Sequence, residues 1–263
     1  MSTKKRLIFA LLYYDGIFCQ SRNFQCQKVG NFEWLFNNYN FSHIAGYLDE
    51  LVVLNVNPSE ESHPKFLKMV ERIVDNVFVP VAIGGGIYSV DKALQGLNSG
   101  ADKVVLNSGI RNDTKTVESI INKLGSQSVV ASIDYKSKND TPMVYNWEEK
   151  AVIEGMALIP YVQQCQELGF GEILLNSVEK DGTGFGLDLD VVKEVSGKCK
   201  LPLIVMGGAG KYQHFEPAYK IPAVDAVTTA NLLNFIGNAL PDTRVKLLDT
   251  GIDLARFRNQ KLD

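Results

Sequence analysis

The chain is short of most features that would mark a metal, nucleic-acid or membrane protein. It holds four cysteines, Cys19, Cys26, Cys165 and Cys199, and no two of them form a C-x-x-C pair. Its three histidines, His43, His63 and His214, are dispersed. Without clustered thiols and imidazoles there is no ligand set for a structural zinc, and no metal or other cofactor is expected. Scattered cysteines without a secretory leader read as reduced thiols of a cytoplasmic protein. The polar, basic start from Met1 to Arg6 leads only into Leu7–Tyr14, an apolar run too short to span a membrane. A net charge of −3 leaves no basic field to draw nucleic acid or an anionic membrane surface. No linker or low-complexity tract interrupts the chain, so residues 1–263 are expected to form a single domain.

What the sequence does contain is a regular alternation. Eight short β-rich runs stand out: Leu7–Leu12, Leu51–Val56, Val79–Ile83, Lys103–Leu106, Val129–Ile133, Glu172–Leu175, Leu203–Met206 and Ala223–Val227. Helical spacing lies between them. Phe66, Met69, Val70 and Ile73 fall on one helix face, as do Val117, Ile120, Ile121 and Leu124. Eight strand–helix units in 263 residues predict an α/β fold, a closed (β/α)₈ TIM barrel. Glycines in "NSGADKVVL" and "LGFGEILL" stop helices before the next strand, whereas "GGGI", "DGTG" and "GGAG" follow strands. Residues Tyr135–Glu149 form the one long irregular stretch, expected as a loop with a small hairpin.

The sequence also repeats. "VPVAIGGGI" from Val79 aligns with "LPLIVMGGAG" from Leu201 at an offset of 122, with Pro80 on Pro202. "ELVVLNV" at Glu50 and "EILLNSV" at Glu172 share the offset, and so do "ALLYY" at Ala10 and "SIDYK" at Ser132. An offset near half the chain implies two half-barrels of four units, with the two glycine loops across the mouth from each other. Each loop can offer backbone N–H groups to a phosphate, which would suit a phosphorylated small molecule with anionic groups at both ends. Equally, the glycines serve as tight turns. Asp134 ends the fifth strand run and Asp181 follows the sixth; carboxylates there face the barrel mouth, where they can move protons. The Asp-Gly pair at 181–182 is also a plain turn signal.

These motifs, with "GADKVVLNS", "GSQSVV" and "LGFGEILLNSVEKDGTG", resemble the HisF-like family, the cyclase subunit of imidazole glycerol phosphate synthase, over nearly the whole chain. The resemblance implies a cyclase that closes an imidazole ring on a bisphosphorylated substrate, using ammonia from a HisH-like glutaminase. By that match Asp134 and Asp181 are catalytic. Gly85, Gly86, Asn107, Ser108, Asn176, Thr183, Gly207, Gly208, Ala230 and Asn231 become the substrate- and phosphate-binding set. The mouth departs from the family: a catalytic aspartate falls on Leu12, a loop lysine on Gln20, an aspartate ending the second strand on Asn55, and a serine on Asn231. The opposite face departs less. Residues of an ammonia gate match Arg6, Glu50, Lys103 and Glu172, and two that meet the glutaminase match Asp102 and Gln127. Charges at strand starts also serve stability alone.

Leucine cannot accept or donate a proton, and one acid/base group is worth about 10²–10⁴ in rate. Cyclisation should therefore suffer while ammonia passage need not. A WbuZ-like subgroup, linked to acetamidino sugars of surface polysaccharides, resembles this chain in its leucine-rich first strand and in the segment from Asn231 to Arg256. The resemblance thus implies an ammonia-accepting amidotransferase subunit, with a glutaminase and a sugar amidotransferase as partners. A cyclase of histidine biosynthesis and a non-catalytic activator of the glutaminase are the alternatives.

Overall fold

The computed structural model describes residues 4–39, 44–231, 234–235 and 237–256. His43, the first three residues of the polar N-terminus and parts of the segment from Asn231 to Arg256 lie outside these. The strands, in chain order, begin with β1 (Arg6–Tyr14), followed by a hairpin of β2 (Ile17–Arg22) and β3 (Gln25–Gly30). Then come β4 (Glu50–Asn55), β5 (Val81–Gly84) and β6 (Lys103–Leu106). β7 (Val129–Lys138) carries a second hairpin, β8 (Thr141–Asn146) and β9 (Ala151–Ala157), before β10 (Glu172–Ser177), β11 (Leu203–Met206) and β12 (Val224–Thr229). Eight of them, β1, β4, β5, β6, β7, β10, β11 and β12, pair in parallel and close on themselves, β12 meeting β1 with Arg6 beside Ala226. This is the expected (β/α)₈ barrel.

Alternation along β1 explains how one strand feeds two cores. Leu7, Phe9, Leu11 and Tyr13 pack outward against the helices, while Ile8, Ala10 and Leu12 point into the barrel with Val52, Ala82, Val105, Val130, Leu174, Ile204 and Ala226. The helix Ser62–Val74 buries His63, Phe66, Met69, Val70 and Ile73 on the face the spacing predicts, and Thr114–Leu124 buries Val117, Ile120 and Ile121. Gly169 ends the helix Leu158–Leu168 in the left-handed region at φ 90°, where glycine carries no Cβ penalty.

Two differences from the sequence expectation matter for the site. Tyr135–Glu149 holds the expected hairpin, β7 with β8, but is mostly strand and not loop: β7 continues to Lys138, and β8 and β9 extend it as an antiparallel sheet. The hairpin β2–β3 has no signature in the sequence pattern; its run Ile17–Gly30 lacks the sustained alternating apolar signal of a half-buried strand. The two hairpins follow β1 and β7, which stand four strands apart around the barrel, so the half-barrel repeat extends to the strand additions. The two glycine loops, after β5 and β11, are likewise across the mouth from each other.

A buried ion pair, unforeseen in the sequence, ties the last helix (Ala239–Asp249) to the barrel. Arg244 is fully buried and grips Asp49 through both guanidinium arms at 2.7 and 2.9 Å. It also donates to the carbonyls of Tyr47 and Ala255, and Asp49 in turn accepts the Leu7 N–H. Among the described residues no helix is long and apolar enough to cross a membrane.

Candidate functional site

At the N-terminal end of the barrel, four strand starts bring together four charges. Arg6 of β1 donates to Glu50 of β4 at 2.6 Å and to Glu172 of β10 at 2.8 Å. Lys103 of β6 reaches the same two carboxylates, Glu50 at 3.2 Å and Glu172 at 3.1 Å. The result is a closed ring in which each cation bridges both anions. Glu50 is the most buried member, with 3 % of its side chain exposed. Asp102 and Gln127 are exposed on the same end; Asp102 accepts the Val81 N–H at 2.8 Å and so caps the start of β5. Above the ring the barrel is lined by Ile8, Ala10, Val52, Ala82, Val130 and Leu174, a mainly apolar interior of small and medium side chains broken by the hydroxyls of Thr228, beside Ile8, and Ser132, beside Leu174.

The C-terminal mouth opens into a cavity of about 600 Å³. Leu12 and Asp134 line it from β1 and β7, facing each other across the barrel as the repeat predicts. Asp134 is 7 % exposed and accepts hydrogen bonds from Asn107 Nδ2 at 2.9 Å and Asn176 Nδ2 at 3.0 Å. Burial pushes its carboxyl up to about 6, against the two amide hydrogen bonds and nearby Arg111, which favour the charged form. A carboxyl poised there can take or give a proton near neutral pH. Its opposite number, Leu12, is apolar and only 5 % exposed, so across the mouth from Asp134 there is no second proton carrier on β1.

Asp181 lies on the loop after β10 and is held by the first hairpin. Ser21 Oγ donates to its Oδ2 at 2.6 Å, the Phe24 N–H to the same oxygen at 3.0 Å, and the Asn23 N–H to its backbone carbonyl at 3.0 Å. Burial raises its carboxyl above the ordinary value while these two side-chain bonds oppose the rise. The hairpin tip turns through Asn23 and Phe24, both at positive φ, and the Phe24 ring meets Tyr145 of the second hairpin edge-on at 5.7 Å. The two hairpins thus touch above the cavity.

The remaining expected residues divide by loop. Gly85 and Gly86 border the main cavity with Asn107, Ser108 and Asn176. Gly207, Gly208, Ala230 and Asn231 surround a separate recess of only about 20 Å³. Several polar members are already engaged within the chain. Asn107 Oδ1 accepts from Arg111, Ser108 Oγ accepts from Trp147 Nε1, Thr183 Oγ1 donates to the Lys180 carbonyl, and Asn231 Oδ1 accepts from the Asn234 N–H. The glycines are required by the backbone whatever they bind: a Cβ on Gly85 would lie 2.0 Å from the Asn55 carbonyl oxygen, and one on Gly208 2.1 Å from that of Gly186. Asn55 uses its side chain locally, accepting from the Asn57 N–H and meeting Ser62, while Gln20 is not among the cavity walls. Sequence reasoning missed the walls that come from the hairpins, Ser21, Phe24, Tyr145 and Trp147. The only signals for them were Asn23, a residue tolerant of positive φ, and the isolated Tyr145 and Trp147 in a polar stretch.

The arrangement is that of a two-fold repeated (β/α)₈ barrel with a carboxylate-bearing mouth at one end and a charged ring at the other. The chain belongs to the histidine biosynthesis protein family, whose model matches residues 33–237, and within it the chain is HisF-like. It is 39 % identical over 247 residues to a provisionally named imidazole glycerol phosphate synthase subunit hisF2 of Parasynechococcus marenigrum, covering 92 % of this chain and 90 % of that protein. It is 34 % identical over 249 residues to the imidazole glycerol phosphate synthase subunit HisF of Chlorobaculum parvum, covering 94 % and 97 %. To the HisF subunit of Chlorobium limicola it is 37 % identical over 204 residues, covering 78 % and 81 %.

Proposed function

We propose that this chain is the ammonia-accepting subunit of a glutamine-dependent amidotransferase complex. It docks a HisH-like glutaminase at the N-terminal face through Asp102 and Gln127 and serves acetamidino-sugar formation together with a sugar amidotransferase. The observation that carries this reading is the complete ring of Arg6, Glu50, Lys103 and Glu172 beneath an apolar interior, combined with Leu12 where the mouth would need a carboxylate. Ammonia is neutral, whereas ammonium would lose its hydration in such an interior at a cost of several kcal/mol. An apolar bore therefore favours ammonia, and the ring at its entrance is the element that must part. At the other end, ring closure and bond cleavage on a bisphosphate need positioned proton carriers on both sides of the mouth; Leu12 supplies none across from Asp134, and the carboxyl of Asp181 is tied to Ser21 and the Phe24 N–H.

The test is nitrogen transfer in the assembled complex. Glutamine labelled at the amide nitrogen is supplied with unlabelled ammonium in the medium, and the product is examined for label. Retention of the label supports conduction through the barrel. Free mixing of the two nitrogen sources, with the glutaminase still stimulated, would instead make the chain an activator only.

A second reading, a cyclase of histidine biosynthesis, is favoured by Asp134, whose carboxyl near 6 suits acid/base work, and by the similarity to imidazole glycerol phosphate synthase subunits HisF. Ammonia-dependent turnover of the histidine-pathway bisphosphate separates the two. Negligible turnover that rises by about 10²–10⁴ in Leu12→Asp would fit the loss of one acid/base group. Ordinary turnover in the unaltered chain would overturn the first reading.

A further inference from the structure

The four cysteines fall into two pairs, and the pairs differ in access to solvent. Cys165, on the helix Leu158–Leu168, and Cys199 are both buried. Burial pushes the Cys165 thiol up to about 12 and raises that of Cys199, so both stay protonated and unreactive. The other pair belongs to the first hairpin. Cys19 of β2 is fully buried beside Leu12, whereas Cys26 of β3 is exposed.

Strand register brings these two together. Cys19 stands opposite Lys28, and Ser21 stands opposite Cys26. The cysteines are therefore diagonal neighbours on one face of the antiparallel pair. Their thiols lie within hydrogen-bonding reach of each other. That bond divides the pair. Donation from Cys19 holds the Cys26 thiol below its usual range, against burial and the Asp181 carboxylate. The same bond, together with burial, holds the Cys19 thiol well above its own range, while Lys28 adds a cation beside the pair. An accessible sulfur that leans toward thiolate, next to a protonated second one, suits oxidation of the first and resolution by the second.

The strand that carries Cys26 can follow such a change. Among the described residues β3 pairs only with β2, and four of its six residues are exposed. An edge of this kind can make the small adjustment that a disulfide bond demands.

We propose that the first hairpin is a peroxide-modified thiol site, in which Cys26 is oxidised and Cys19 resolves it to a disulfide within the hairpin. The Cys26 sulfur attacks one peroxide oxygen; the S–O bond forms, the O–O bond breaks, and the second oxygen leaves as hydroxide and is protonated to water. The Cys19 sulfur then attacks the Cys26 sulfur; the S–S bond forms, the S–O bond breaks, and the oxygen leaves as water with the Cys19 proton. The two sulfurs together lose two electrons, and the peroxide gains them. Cys26 lines the cavity and stands opposite Ser21, which holds Asp181, so the disulfide fixes the strand pairing beside that tie.

The test treats the reduced full chain with equimolar hydrogen peroxide at neutral pH, then alkylates the remaining thiols under denaturing conditions and maps the peptides. Two of the four thiols should be lost as a Cys19–Cys26 link, and dithiothreitol should restore both. Cys26 should react at least about tenfold faster than Cys165 or Cys199, as a tenfold larger thiolate fraction implies. Cys19→Ala should accumulate a sulfenic acid on Cys26 that dimedone traps. Cys26→Ser, at an exposed position, should keep its other thiols at the same dose and carries the test even if the buried variant fails to fold. The proposal is overturned if oxidised Cys26 persists while Cys19 stays a free thiol, or if the link joins Cys26 residues of two chains. It is equally overturned if Cys165 or Cys199 is consumed as fast as Cys26. None of these outcomes reads nitrogen transfer, so the proposal stands or falls apart from the ammonia-accepting reading.

Discussion

Replacing Lys103 with methionine removes one corner of the charged ring and leaves three. Lys103 bridges Glu50 at 3.2 Å and Glu172 at 3.1 Å, but both carboxylates keep Arg6, at 2.6 and 2.8 Å. Breaking a fully buried pair costs about 3–5 kcal/mol, and an exposed pair is worth about 0–1. Here the lysine side chain is 17 % exposed and neither partner is orphaned, so a cost of about 1–2 kcal/mol follows from those limits. For a chain of this length that lowers Tm by about 2–8 °C, leaving a folded protein. Under the proposed reading, the lysine side chain then no longer closes the β6 side of an ammonia entrance, and ammonia there exchanges with solvent. In the complex, transfer of labelled amide nitrogen should fall severalfold while glutamine hydrolysis changes little, and Lys103→Arg should retain most of the transfer. If Lys103→Met lowers Tm as expected yet transfers nitrogen as well as the unaltered chain, the ring has no part in holding ammonia and serves stability alone.

Two further outcomes follow from buried charges. Arg244→Met leaves Asp49 buried with only the Leu7 N–H, so a loss of about 3–5 kcal/mol is expected, seen as a Tm about 6–20 °C lower in thermal unfolding; an unchanged Tm would refute the pin. Asp134 has its carboxyl raised from 3.8 to about 6, so between those pH values the folded state keeps a proton that the unfolded state has lost. Its contribution to stability is therefore greatest at about pH 4 and declines by roughly 2–3 kcal/mol as pH rises through about 6. Denaturant unfolding across pH 4–7 should show this decline in the unaltered chain and not in Asp134→Asn, and parallel curves would contradict it.

Much of this was legible because barrel physics writes itself into sequence period. The runs Lys103–Leu106 and Leu203–Met206 match their strands end to end, since each is a short, largely apolar segment buried on both faces, the first between Asp102 and Asn107 and the second between Pro202 and Gly207. The repeat is readable because each half must bury the same surfaces, and it alone places Leu12 across from Asp134. The hairpins were not readable. Their strands pair at the barrel rim, and β3 is exposed along four of its six residues, so no hydrophobic alternation betrays it. Nor did the glycine pattern foretell that one loop opens on a large cavity and the other on a recess. Ser21 and Asp181, both in the wall of the recess and 160 residues apart, meet through a contact no local pattern encodes. The Arg244–Asp49 pin is equally non-local.

The two ends of the barrel are physically separable, and this bears on how one can change without the other. Ring and mouth face opposite directions along the same strands, with Ile8 and Ala10 between Arg6 and Leu12 on β1 and Val105 beyond Lys103 on β6. No hydrogen bond among the described residues joins ring to mouth side chains; what lies between is mainly apolar packing with the uncharged hydroxyls of Thr228 and Ser132, which transmits shape and not charge. Exchanging a mouth aspartate for leucine therefore removes a proton carrier and adds apolar floor to the cavity, yet leaves the ring's ion pairs intact. Under the proposed reading, an intact charged ring beneath a mouth that carries Leu12 across from Asp134 separates ammonia entry at one end from proton transfer at the other.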